Sequence, residues 1–113
     1  LSADTNDTGG NKSFIVIVTP RARPDKVDSA RHALEAIAEP TRANPDCYEF
    51  RIFQDKNDLQ SFTLIERWVS LDAVLVHGRR DYMAEYMALK DDIFETPPRG
   101  KFFHELSTAR SDD

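Results

Sequence analysis

Five consecutive apolar residues, Phe14-Ile-Val-Ile-Val18, constrain this chain more than any other feature. Four of the five are β-branched, and no polar residue alternates with them. A run this short and this branched reads as a strand, and its lack of alternation reads as burial on both faces. The fold must therefore hold this strand inside a sheet that is covered from two sides.

The segments that follow supply one cover. Pro20 and Pro24 bound the strand, and Pro24 suits the first turn of a helix, where its missing N–H costs nothing. Val27, Ala30, Leu34, Ile37 and Ala38 then recur at helical spacing, giving an amphipathic helix of roughly five turns that Pro45 closes. Two alternating segments come next. Tyr48, Phe50 and Ile52 alternate with Glu49, Arg51 and Phe53, and Asp55-Lys-Asn-Asp58 supplies a turn. Phe62, Leu64, Glu66 and Trp68 alternate with Thr63, Ile65, Arg67 and Val69. Glu66 is the anomaly, a carboxylate on a face otherwise made of Phe, Leu and Trp.

Ser70 is placed to cap a short helix carrying Leu71, Val74 and Leu75, which Gly78 breaks. Asp81 is placed to cap another, whose apolar stripe is Tyr82, Met83, Tyr86, Met87 and Ile93 and which Pro97-Pro98 stops. Lys101-Phe-Phe-His-Glu-Leu106 reads as the last strand. Residues 1–13 are polar and read as a flexible leader, residues 14–106 as the domain, and residues 107–113 as a polar tail. The leader is compatible with an exported protein whose signal has been removed and equally with a cytoplasmic one.

The order β-α-β-β-α-β with right-handed crossovers is the ferredoxin-like α+β sandwich, a four-stranded antiparallel sheet with helices on one face. Nothing in the chain is left to cover the other face, so a second copy is the expected lid, with Thr63, Ile65, Arg67 and Val69 at the contact. A chain of 113 residues is one domain and builds a core without metal or disulfide staples. Cys47 is the sole cysteine, which rules out an intrachain disulfide. The net charge of −5, with both signs interspersed, excludes the basic stripe that nucleic acid or an anionic membrane requires.

The stretch from Tyr48-Glu-Phe-Arg-Ile-Phe-Gln-Asp55 through Ser61-Phe-Thr-Leu-Ile-Glu-Arg-Trp-Val-Ser-Leu-Asp-Ala-Val-Leu-Val-His77 resembles the antibiotic biosynthesis monooxygenase (ABM) family. The signature is Glu66-x-Trp68, a short helix, and His77 nine residues after the Trp. Tyr82 stands where family members often carry a second His. The resemblance implies a homodimer whose sheets pack face to face as a dimeric α/β barrel, with an apolar pocket between each sheet and its helices. It also implies chemistry among cofactor-free quinol oxygenases, haem-degrading proteins and an isomerase, between which the fold does not choose. No Asn stands on the pocket face of the first or third strand, which argues against haem degradation.

On this reading Phe62, Leu64, Glu66, Trp68, His77, Tyr82, Met83 and Tyr86 converge on an aromatic pocket suited to a flat, electron-rich ligand. His77 is the candidate base by intrinsic pKa, and Glu66, if buried, is a second. Each has a structural alternative: a helix-end His on a backbone carbonyl, a carboxylate anchored by N–H groups or an Arg, a core Trp. Arg79-Arg80 is a candidate anion clamp or a solvated turn. His32 and His104 have no metal partner at ligand spacing. The leading function is a monooxygenase of an aromatic quinol-like molecule, needing no cofactor or metal. The alternatives are an isomerase or tautomerase of a polar carbonyl compound and a non-catalytic dimeric ligand-binding domain.

Overall fold

The apolar run forms β1 (Phe14–Val18), which lies inside the sheet between two other strands. In the computed structural model, which describes residues 13–107 except Pro97, it is followed by α1 (Val27–Arg42), β2 (Cys47–Gln54) and β3 (Phe62–Trp68). Then come α2 (Leu71–His77), a 3₁₀ turn (Asp81–Met83), α3 (Ala84–Ile93) and β4 (Gly100–Phe103). The expected leader apart from Ser13, the expected tail beyond Ser107, and Pro97 as a helix stop lie outside the described residues. The sheet order is β2-β3-β1-β4, antiparallel throughout. This is the expected ferredoxin-like α+β fold.

The alternation in β3 holds without exception. Phe62, Leu64, Glu66 and Trp68 are buried, while Thr63, Ile65 and Arg67 are half-buried on the opposite face. From α1, Ala30, Leu34, Ile37 and Ala38 pack against Phe50, Phe62 and Leu64, and Met83, Tyr86, Ile93 and Phe94 close the same core. Leu34 is fully enclosed, so truncating it to Ala costs about 2–5 kcal/mol. No helix among the described residues is long and apolar enough to cross a membrane.

Several local details differ from expectation. The first helix starts at Val27, not at Pro24, because Ala22 and Arg23 are held extended against the end of α3: Arg23 N–H donates to the Ile93 carbonyl at 2.9 Å. Tyr48 does not face the core with Phe50. A bulge between Cys47 and Glu49 turns it out, 58% exposed. Asp81 does not cap a helix by its side chain but lies within the 3₁₀ turn, and α3 ends at Ile93, where Phe94 takes extended backbone. The last strand is Gly100–Phe103, shorter than expected, and its pairing with β1 ends at Ile15↔Phe103.

Candidate functional site

Glu66 lies at the middle of β3, beside Val16 on one neighbouring strand and Phe50 on the other. Both are buried and apolar, so the carboxyl sits in surroundings that do not solvate its charge. Its protein partner is Trp68, two residues on and on the same sheet face, whose indole Nε1–H donates to Oε1 at 2.8 Å. Burial drives the Glu66 pKa from 4.5 up to about 7, and the Trp68 bond pulls the other way.

His77 comes from α2. The Ser70 hydroxyl accepts the Ala73 N–H at 3.1 Å and so starts that helix, and Gly78 closes it. The last residue, His77, is thereby carried inward, against the Trp68 ring with centroids 4.6 Å apart and near Phe50 at 6.4 Å. Its Nδ1 lies 2.8 Å from the Tyr82 hydroxyl. Burial, with the Arg80 guanidinium adding to it, pushes the His77 pKa down to about 4. At neutral pH the imidazole is uncharged and a weak base, whereas Glu66 titrates in the physiological range.

Both side chains line a cavity of about 250 Å³ between the sheet and the α2–α3 side, walled mostly by apolar groups such as Val16, Leu64, Met83, Met87 and Phe102. Of the residues expected at the site, Leu64, Glu66, His77, Met83 and Tyr86 line this cavity. Trp68 stands behind it, fully buried, supporting Glu66 and His77. Tyr82 sits behind His77 and faces a groove of about 590 Å³ between α1 and α3, which also carries His32 and Glu85. Phe62 belongs to the core and borders a depression between α1 and β2. Arg79 and Arg80 are exposed and do not line the cavity, and His104 is exposed beyond β4.

Tyr86 turns its phenol between cavity and groove; burial raises its pKa, and the Glu66 charge adds to the rise. It is neutral in any physiological condition. Cys47 is half-buried and pushed up to about 11 by burial, so its thiol is protonated and unreactive. Among the described residues no three His, Cys, Asp or Glu side chains are grouped to hold a metal ion.

Two lining or supporting groups escaped the sequence reading. Lys90 lines the cavity, and only its place one helical turn beyond Tyr86 could have marked it. Asn44, just past the end of α1, donates through Nδ2 to the Tyr82 hydroxyl at 3.2 Å. Nothing in the sequence signals that contact, because the partners are 38 residues apart.

A four-stranded antiparallel sheet with a mostly apolar cavity under its helices, holding one carboxyl and one neutral imidazole, defines a ferredoxin-like α+β domain. The chain belongs to the antibiotic biosynthesis monooxygenase family, whose model matches residues 13–89. An uncharacterised protein of Synechocystis sp., sll1783, is 23% identical over 100 residues, covering 88% of this chain and 68% of the relative. The fold is shared with PA3566 from Pseudomonas aeruginosa (TM-score 0.80, 20% identity, 88% of this chain and 100% of the other). It is shared also with Rv0793 from Mycobacterium tuberculosis (TM-score 0.78, 24% identity, 87% and 99%).

Proposed function

We propose that this protein is a monooxygenase of an electron-rich, quinol-like aromatic molecule, with Glu66 as the base and no bound cofactor required. The observation that carries the reading is a carboxyl with a pKa of about 7 in a mostly apolar cavity that fits a small ring system. A base near neutrality removes a phenolic proton without needing strong alkali. The resulting anion, held out of water, passes one electron to dioxygen. The substrate radical and superoxide couple at a ring carbon that bears hydrogen, and the peroxide anion takes back the proton held by Glu66. The hydroperoxide then loses water with that carbon's hydrogen to leave a carbonyl. One oxygen atom enters the product and the other leaves as water. Family membership supports the oxygenase class, and the presence of Glu66 and uncharged His77 in one cavity supports the acid–base assignment.

The working unit is a homodimer closed through the face of the sheet opposite the helices. That face carries Ile15, Ile17, Ile65 and Phe103, none of them buried in the single chain, around an Arg67 ion-paired to Glu49 and Glu105. The same base–donor arrangement would also serve proton transfer on a carbonyl compound. Such an isomerase works without oxygen, which separates the two.

The test is oxygen uptake by metal-stripped protein given reduced naphthalene- and anthracene-type quinols, with Glu66→Gln alongside. One dioxygen per product, at a rate at least about a hundredfold above the variant's, is the expected result. Uptake no faster than the buffer blank, or equal rates in the variant, refutes the reading. Substrate proton exchange under nitrogen would put the isomerase in its place.

A further inference from the structure

We infer that Asn44 and Tyr82 form a relay that locks His77 in the neutral Nε2–H tautomer, so that the imidazole serves the cavity as a hydrogen-bond donor. The argument starts at Asn44, which is 9% exposed. Its Oδ1 accepts the Asp46 backbone N–H at 2.9 Å, and this fixes which way the amide points. Nδ2 is therefore the end that meets Tyr82, donating to the hydroxyl oxygen at 3.2 Å. The phenol has one proton of its own and, besides Asn44, one protein partner: Nδ1 of His77 at 2.8 Å. With a donor already aimed at the oxygen, the phenol proton goes to Nδ1. A neutral imidazole whose Nδ1 accepts carries its proton on Nε2, the nitrogen with no protein partner among the described residues.

The reverse tautomer would make the Tyr82 oxygen accept twice and leave its own proton with no protein acceptor. The charged form is disfavoured by burial and by Arg80; Trp68 from β3, Phe50 from β2 and Tyr82 surround the ring, and Glu66 from β3 with Tyr86 and Lys90 from α3 shares its cavity. The cavity thus presents Glu66 as its carboxyl acceptor, and His77 joins the Lys90 ammonium and the Tyr86 hydroxyl among its donors. A bound molecule that gives up a proton to Glu66 has its developing oxyanion met by His77. Tyr82 and Asn44 are positioning residues in this scheme and touch no substrate. The catalytic consequence rests on the proposed site, but the tautomer does not.

The experiment is long-range ¹H–¹⁵N correlation of the histidine rings in the full chain, ligand-free, near neutral pH. His77 is expected to show a protonated Nε2 and an unprotonated Nδ1. In Tyr82→Phe the two nitrogens are expected to average toward a mixture. The His77 titration midpoint should then rise by roughly half to one pH unit, the worth of one neutral hydrogen bond. Asn44→Leu should move both readouts in the same direction by less. A protonated Nδ1 in the unmutated chain, which depends on no variant folding, overturns the inference. So does a Tyr82→Phe spectrum whose His77 nitrogens are unchanged. Absence of quinol turnover with the Nε2–H tautomer in place would count against the oxygenase reading and leave the relay standing.

Discussion

The Trp68 indole donates to the Glu66 carboxylate at 2.8 Å from two residues along the same strand, on the same face of the sheet. A side-chain bond at this spacing needs no tertiary accident, because residues i and i+2 of a strand stand side by side. It gives the largely buried carboxylate one oriented donor, and it leaves the second oxygen without a protein hydrogen bond among the described residues. That bond is what keeps Glu66 from rising further than it does.

Trp68→Phe removes this donor while keeping a ring in the core. The Glu66 pKa should climb by about one unit, as one hydrogen bond to a charged group is lost. The acidic limb of the kcat/KM profile, or the carboxyl signal in infrared difference spectra, should move to higher pH. Stability should fall by about 1–3 kcal/mol. A limb that stays in place would show that Trp68 only fills space.

Glu66 and His77 oppose each other in the pH dependence of stability. The Glu66 pKa is raised, so its contribution is complete below about 4.5 and is lost as the pH rises to about 7. The His77 pKa is lowered, so its contribution is complete above about 6.5 and is lost as the pH falls to about 4. Between these limits the two slopes cancel, and each single variant should unmask the other. Relative to the parent, Glu66→Gln gains stability as the pH rises through this window, and His77→Gln loses it, each by up to roughly 3 kcal/mol in total. Urea melts at half-unit pH steps measure this, and parallel profiles for all three proteins would refute it.

Gly100 has no room for a side chain. A Cβ there would lie 2.7 Å from Cγ1 of Val16, a buried residue of the cavity wall. Gly100→Ala should therefore destabilise by about 1–3 kcal/mol, through displacement of Val16 or of the β4 edge. Thermal melts read the cost, and an unchanged midpoint would mean that the edge strand yields freely.

The dimer proposal predicts that Ile65→Asp, in the middle of the sheet face opposite the helices, yields monomers at micromolar concentration. A buried, unpaired carboxylate at a symmetric contact occurs twice per dimer and costs several kcal/mol each time. Analytical ultracentrifugation of parent and variant decides it. A parent already monomeric at that concentration would remove the dimer from the account.

The alternation in β3, the stripe on α1 and the Ser70 cap of α2 were readable from the chain because each is local. The period of apolar residues reports which face is buried, and a hydroxyl at the right offset reports where a helix begins. The same rule misled at Tyr48, where its period continued past a bulge. It misled again at Asp81, where an acidic residue that resembles a cap lies inside a tight turn.

By itself the sequence determined the order of elements, the sheet, and that one carboxylate would stand on the buried face of β3. Those follow from neighbours within a few residues. Only the tertiary structure decided that burial carries Glu66 up and His77 down, that Tyr82 backs the imidazole rather than lining the cavity, and that Asn44 reaches Tyr82 across 38 residues. Protonation and tautomer depend on the dielectric surroundings and hydrogen-bond partners that distant segments supply. Periodicity along the chain carries no record of either.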